Sequence, residues 1–249
     1  MASLQMKQPS PLDKEAFVLI KPGTSVRSIA KQLRDQGAID SQAYYLFPYV
    51  VRIRGDGGTF KAGEYLITPE MSANEIMTAM INGDIVQRQV TVPEGYTSKE
   101  AVDVINELKY IDGPLIENIP PEGSLLPESF AYNRYDTRQD ILDRMMNDMD
   151  NLLMREWENR AENLPFNTKE EAVILASIIE KETGVAAERE MVAGVFVNRL
   201  RMGMPLQTDP TVIYAITEGK SKLDRPLYTR DLKRDHPYNT YMNVGLPPG

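Results

Sequence analysis

Apolar residues recur along this chain in two rhythms, alternating and helical, and the order of the rhythms lays out its elements. Ala16 to Ile20 is a short apolar run of strand type, and Lys21-Pro22-Gly23-Thr24-Ser25 turns the chain and offers an N-cap. Val26, Ile29, Ala30 and Leu33 then fall at helical spacing up to Gly37. A second helix is expected after Asp40, with Tyr44, Phe47, Val50 and Val51 inward and the glycine-rich Arg54 to Gly58 as its end. Arg54-Gly55-Asp56 matches a cell-adhesion tripeptide but reads as part of that turn. Gly63 to Ile67 predicts a strand, Met71-Ser72 opens a helix holding Ile76, Met77, Met80 and Ile81, and Gly83 closes it. Val86 to Val92 alternates as a half-buried strand does. Thr97 with Glu100 forms a capping box for a helix ending near Leu108.

Beyond this the pattern changes. Residues 110–136 are rich in Pro, Gly and acidic residues and read as a connector, with Glu122-Gly123-Ser124-Leu125-Leu126-Pro127-Glu128 as a candidate cleft loop. Asp140 to Asn163 is a long amphipathic helix whose inward stripe is Ile141, Met145, Met149, Leu152, Leu153 and Trp157. Lys169 to about Thr183 is apolar on nearly every side, which predicts a helix at the centre of a second domain. Glu188 to Arg201 reads as a helix with Val192, Val195, Phe196 and Leu200 inward. The fold class is α+β: a start at 1–14 that is disordered or tag-like, a mixed unit at 15–109, a connector and cleft loop at 110–136, and a mainly helical domain at 137–249.

Composition removes whole classes of chemistry. The 249 residues include no cysteine and one histidine, His236, so disulfides, zinc clusters and a Ser-His-Asp set have no obvious material, and neither metal nor cofactor is expected. A net charge of -8 argues against a phosphate-binding surface and hence against nucleic acid. No apolar run is long enough to span a bilayer, so the chain as given reads as soluble. Gly219-Lys220-Ser221 resembles the end of a phosphate loop, but Tyr214 stands where that loop needs glycine. Neither Gly-x-Ser-x-Gly nor His-Glu-x-x-His occurs.

Carboxylates are therefore the simplest catalysts left, and two stand at the end of the most apolar helix. Glu182 follows Leu175 by seven residues and Ile178 by four, which puts it on an apolar side, and a carboxyl against apolar neighbours is disfavoured as an anion and suits a general acid. Glu180 is rotated from it by roughly 200° and points elsewhere. On periodicity alone, ordinary solvated glutamates at a helix end, with Lys181 between them, are the simpler reading, and it is the residues around them that favour chemistry. Downstream come polar clusters of Asn, Gln, Thr, Asp and Tyr broken by Pro and Gly, suited to line a sugar groove. Asp209-Pro210-Thr211 also reads as a helix start, and Tyr238 to Tyr241 as a packed turn.

Taken in order, the words Ala176-Ser177-Ile178-Ile179-Glu180-Lys181-Glu182-Thr183, Glu188-Arg189, Val195-Phe196-Val197-Asn198-Arg199-Leu200, Met204-Pro205-Leu206-Gln207-Thr208-Asp209-Pro210-Thr211-Val212-Ile213-Tyr214, Tyr238-Asn239-Thr240-Tyr241 and Gly245-Leu246-Pro247-Pro248-Gly249 resemble the YceG-like endolytic murein transglycosylase family. Lys61-Ala62-Gly63-Glu64-Tyr65 and Pro93-Glu94-Gly95 resemble its N-terminal region, which holds a LysM-like subdomain, so the likeness covers the chain from about Phe17. It implies a lyase that cuts peptidoglycan between N-acetylmuramic acid and N-acetylglucosamine and leaves a 1,6-anhydro end. Glu182 is implied as the catalytic acid, and Glu180, Asn198, Gln207, Thr208, Asp209, Thr211, Tyr238, Asn239, Thr240 and Tyr241 as substrate-binding. Partners implied are peptidoglycan glycan strands and the penicillin-binding proteins, at the periplasmic face of a bacterial inner membrane.

Two features depart from the family pattern. Members usually begin with a membrane-spanning helix and continue past the Gly-Leu-Pro-Pro-Gly word, so an anchor and the end of the catalytic domain are expected beyond this chain, with an apolar patch left exposed. His236 stands where a small or variable residue is expected and reads as neutral to function. Two other readings remain open: a LysM-like glycan-binding protein with an incomplete catalytic domain, and a conventional hydrolase that releases a reducing end.

Overall fold

The computed structural model describes residues 5–55 and 60–249. Its fold is α+β, in two compact units. One comprises the chain up to Gln89 with Tyr110–Asp112 and Ala131–Asp136, and the other Val90–Lys109, Gly113–Phe130 and Thr137–Gly249. The division therefore falls at residue 89, earlier than the expected boundary at 109, and the segment expected as a connector is shared between the units.

In the first unit β1 (Ala16–Ile20) pairs antiparallel with β2 (Gly63–Ile67), with Ala16 opposite Ile67 and Ile20 opposite Gly63. Helices α1 (Val26–Asp35), α2 (Ser41–Arg54) and α3 (Ala73–Asn82) begin on Ser25, Asp40 and Ser72, whose side chains each accept a backbone N–H of the first turn. Ser72 and Glu75 complete a capping box, and Gly83 ends α3 in the left-handed region at φ 80°. Val18, Ile20, Ile29, Leu33, Phe47, Tyr65, Ile67, Ile76, Met77 and Met80 make a common core. Tyr65 is buried there with its hydroxyl donated to the Lys61 carbonyl at 2.7 Å, and burial pushes its phenol up to about 12. Residues 5–14 are not a loose start: Met6 is buried, Pro9 bridges to Ser72, and the Ser10 hydroxyl donates to the Ala38 carbonyl. Met1 to Leu4 lie outside the described residues, as does Asp56 of the Arg54-Gly55-Asp56 turn, whose Gly55 caps α2 at φ 81°.

A second pair, β3 (Arg88–Thr91) and β4 (Ser129–Tyr132), follows. The second unit contains α4 (Ser98–Asn106), α5 (Arg138–Glu158), α6 (Lys169–Glu182), a short 3-10 turn (Ala186–Glu188), α7 (Arg189–Arg201) and α8 (Asp209–Thr217). Its α6–α7 core is small: Leu175 and Ile178 of α6, Phe196 of α7 and Leu206, with Phe166, Val192, Leu200 and Leu246 packed around them. Three expectations change here. On α5 only Ile141, Leu142 and Met145 are buried, so the inward stripe fades after its first turns. On α6 only Leu175 and Ile178 are buried while Ala176 and Ser177 are exposed, so this helix is not enclosed on every side. Val195 of α7, expected inward, is 48% exposed.

Candidate active site

The site is assembled where α6 stops. Thr168 opens that helix with a capping box through Glu171, and Glu182 is its last helical residue. Thr183 leaves the helix in extended conformation and is buried. Its hydroxyl donates to Glu188 at 2.8 Å and accepts from the Val185 N–H at 3.1 Å, which pins the turn into α7. This fixes the backbone on which Glu182 stands.

Glu182 itself is exposed rather than set among apolar groups, a correction to the reading from periodicity. Its apolar neighbours along the helix face, Leu175 and Ile178, are buried in the α6–α7 core, but that cover does not extend to the final turn, where Glu182 stands. What it meets is polar: Oε2 accepts the Thr208 hydroxyl at 2.7 Å. Glu180 points another way, as the 100° step of a helix requires, and pairs with Arg189 at 3.0 Å. Arg189 also reaches Glu94 at 2.9 Å, while Gly95 at φ 74° brings its backbone against Glu180 and Lys181. Glu94 was not singled out from sequence as a partner of this helix. Its only signal was the Pro93-Glu94-Gly95 word, whose glycine marks a close approach.

Thr208 reaches Glu182 because the preceding residues hold it there. Leu206 is wholly buried in the α6–α7 core, and the Arg199 guanidinium donates to its carbonyl oxygen. Gln207 follows at φ 54°, a left-handed conformation that costs a non-glycine residue roughly 1 kcal/mol or more and persists only when its surroundings fix it. Its N–H is bound by the Thr240 carbonyl at 3.1 Å. Thr208 then stands at the N-cap of α8, yet its side chain makes no cap hydrogen bond. Forgoing a cap of this kind costs about 1 kcal/mol.

The residues expected to line a groove divide into two sets. Thr208, Thr211, Asn239 and Thr240 are buried and bonded to one another, to backbone or, for Thr208, to Glu182. Thr208 N–H donates to the Thr240 hydroxyl at 3.1 Å, the Thr211 hydroxyl donates to the Thr208 carbonyl at 2.8 Å, and the hydroxyls of Thr211 and Thr240 lie 2.8 Å apart. Asn239 donates to the Leu232 and Arg234 carbonyls and accepts from the Tyr241 N–H, holding the loop around it. Glu180 is half-buried in its ion pair. Asn198, Gln207 and Asp209 are exposed, and Tyr238 and Tyr241 half-exposed.

Tyr241 donates to Asp209 at 2.7 Å, and this bond, with burial and the negative charges of Asp209 and Glu182, pushes its phenol up to about 12. It therefore stays a neutral donor beside Glu182. Asp209-Pro210-Thr211 is a helix start, with Pro210 in the first turn of α8. Tyr238 lies 4.8 Å from the Tyr214 ring and 5.8 Å from His236, and all three line an open hollow of about 390 Å³ with Glu218, Pro237 and Pro248. Glu122 of the candidate cleft loop accepts the Ser98 N–H at 2.8 Å, and Gly123 lies so close to Val173 of α6 that an added Cβ would sit 2.7 Å from it. Among the described residues no group of three or more His, Cys, Asp and Glu could hold a metal ion.

Comparison with known proteins agrees over nearly the whole chain. Residues 18–249 match the model of the YceG-like family. An endolytic murein transglycosylase of Bacillus subtilis is 34% identical over 92% of this chain and 70% of its own length. One of Streptococcus pneumoniae is 28% identical over 95% of this chain, which spans 50% of that relative. The 2.6 Å crystal structure of a yceG-like protein of Listeria monocytogenes is 30% identical, with a TM-score of 0.52 over 96% of this chain and 86% of its own.

Proposed function

This chain belongs to the YceG-like family, and on that premise we propose that it cuts peptidoglycan glycan strands as a lytic transglycosylase, with Glu182 as acid and then base. The names of the relatives support the enzyme class and the substrate. The observation that carries the assignment of Glu182 is its setting: a solvent-reachable carboxyl whose Oε2 is held by a buried hydroxyl. Glu180, the neighbouring carboxylate, is neutralised by Arg189 and does not face the same way.

In this reading the Glu182 carboxyl gives its proton to the glycosidic oxygen as the bond to C1 of N-acetylmuramic acid breaks. The carboxylate left behind takes the proton of the C6 hydroxyl of the same sugar, and O6 closes on C1. The products are a free N-acetylglucosamine hydroxyl and a 1,6-anhydro end, and Glu182 is protonated again. No water is consumed and no second carboxylate is needed, unlike in the paired-carboxylate hydrolases. Asn198, Gln207, Asp209, Tyr238 and Tyr241 supply exposed amide, hydroxyl and ring surface for sugar, and the β1–β2 unit acts as a LysM-like glycan holder. By family resemblance, the proposed site of action is the periplasmic face of the inner membrane, with the penicillin-binding proteins that make the strands as proposed partners.

The rival reading, glycan binding without cleavage, is excluded by cleavage in the wild type, and one substitution then tests whether Glu182 carries it. Glu182→Gln keeps shape and removes the transferable proton, so cleavage falls by about 10²- to 10⁴-fold with an unchanged circular dichroism spectrum. Cleavage near the wild-type rate in that variant removes Glu182 from the mechanism.

A further inference from the structure

We propose that Thr208 is a positioning residue for the Glu182 carboxyl, held to that task by a closed ring of hydrogen bonds through Thr240 and Thr211. The inference rests on the reading of Glu182 as the acid. Its direction follows from counting protons. Thr211 has one hydroxyl proton, and that proton goes to the Thr208 carbonyl oxygen at 2.8 Å. The contact of 2.8 Å between Thr211 and Thr240 must then take its proton from Thr240. The Thr240 oxygen in turn accepts the Thr208 N–H at 3.1 Å. The ring leaves Thr208 at its nitrogen and returns to it at its carbonyl, so both backbone polar groups of that residue are tied.

The side-chain hydroxyl is what remains, and it donates outside the ring, to Glu182 at 2.7 Å. All three ring residues are at most 5% exposed, so water does not compete for these bonds. A second observation points the same way. Ser25, Asp40, Ser72, Thr97, Thr137 and Thr168 each accept a backbone N–H of their own helix, whereas Thr208 at the same position of α8 does not. The cap is given up and the hydroxyl is turned to Glu182.

Glu182 is exposed on the last turn of α6, so packing does not fix the rotation of its carboxyl. The Thr208 bond does, and by occupying Oε2 it leaves Oε1 to carry the proton that is transferred. Thr208, 1% exposed, does not touch the sugar.

The test is steady-state cleavage of purified peptidoglycan by wild type, Thr208→Val, Thr208→Ser and Glu182→Gln. Valine keeps the branched shape and removes the hydroxyl; kcat is expected to fall roughly 10- to 100-fold with KM unchanged, and serine to restore most of it. If Thr208→Val melts below the assay temperature, Thr208→Ala is judged by the same criteria. Wild-type kcat in Thr208→Val with Glu182→Gln inactive overturns this inference and leaves the acid in place. A rise in KM at unchanged kcat overturns it in favour of a substrate contact, and an active Glu182→Gln overturns the reading beneath it.

Discussion

Thr240→Val separates the stability of the threonine ring from the chemistry it serves. Valine matches threonine in shape, so the buried volume at this position, 1% exposed, is kept and only the hydroxyl is lost. The Thr208 N–H, which reaches that hydroxyl at 3.1 Å, is left buried without an acceptor. Thr211 keeps its own donation to the Thr208 carbonyl and loses only an incoming proton. The cost is that of one stranded buried donor, about 2 kcal/mol within a usual span of about 1–3 kcal/mol. For a domain of about 150–250 residues this corresponds to a fall in Tm of about 4–8 °C. Differential scanning calorimetry, with urea unfolding followed by circular dichroism as a check, reads it directly. Thr208→Val, by contrast, strands no buried backbone group and gives up no helix cap, so its melting temperature is expected to fall by less. A Tm for Thr240→Val within about 1 °C of wild type, or a larger loss for Thr208→Val, would refute the reasoning that the ring is load-sharing and that the Thr208 hydroxyl serves Glu182.

Two further substitutions probe the frame. In Gly63→Ala the new Cβ would lie 2.1 Å from Cγ2 of Ile85, a stiff branched side chain, so the unit built on β1 and β2 should lose about 1–3 kcal/mol, and Ile85→Ala in the same chain should recover part of the loss in urea unfolding. Asp231 is held down to about 2, against an ordinary 3.8, first by hydrogen bonds from Arg225 and then by the Tyr228 N–H. Its contribution to stability is therefore present above pH 3.8 and lost as pH falls through about 2. Arg225→Met should lower Tm at neutral pH, with the gap from wild type closing as pH falls toward 2; a gap that is constant with pH contradicts the assignment.

The parts of this fold that were legible in sequence are the local ones. Thr97 with Glu100 announces its helix because a capping box is completed within four residues. The strand Gly63–Ile67 and the divergence of Glu180 from Glu182 follow from periodicity alone. The strand Ser129–Tyr132 was missed inside a supposed connector because its partner Arg88–Thr91 lies some forty residues earlier, beyond any local signal. The enclosure of α6 was overcalled for a related reason: apolar composition shows what a helix could bury, not which neighbours arrive to cover Ala176 or Ser177. The threonines are legible in sequence as a group, but the hydrogen bonds that join them are not. Whether a hydroxyl faces solvent or a carbonyl is set by the wholly buried Leu206 and the left-handed Gln207, and neither leaves a pattern in the sequence.

The measurement that bears most directly on the central claim is mass spectrometry of the fragments released from purified peptidoglycan by the wild-type chain, with Glu182→Gln as its control. The account predicts fragments ending in 1,6-anhydro-N-acetylmuramic acid, each one water lighter than the hydrolysed form, and none from the variant. Reducing ends would make the chain a hydrolase, and intact strands retained on the protein would make it a binding module; either result contradicts it.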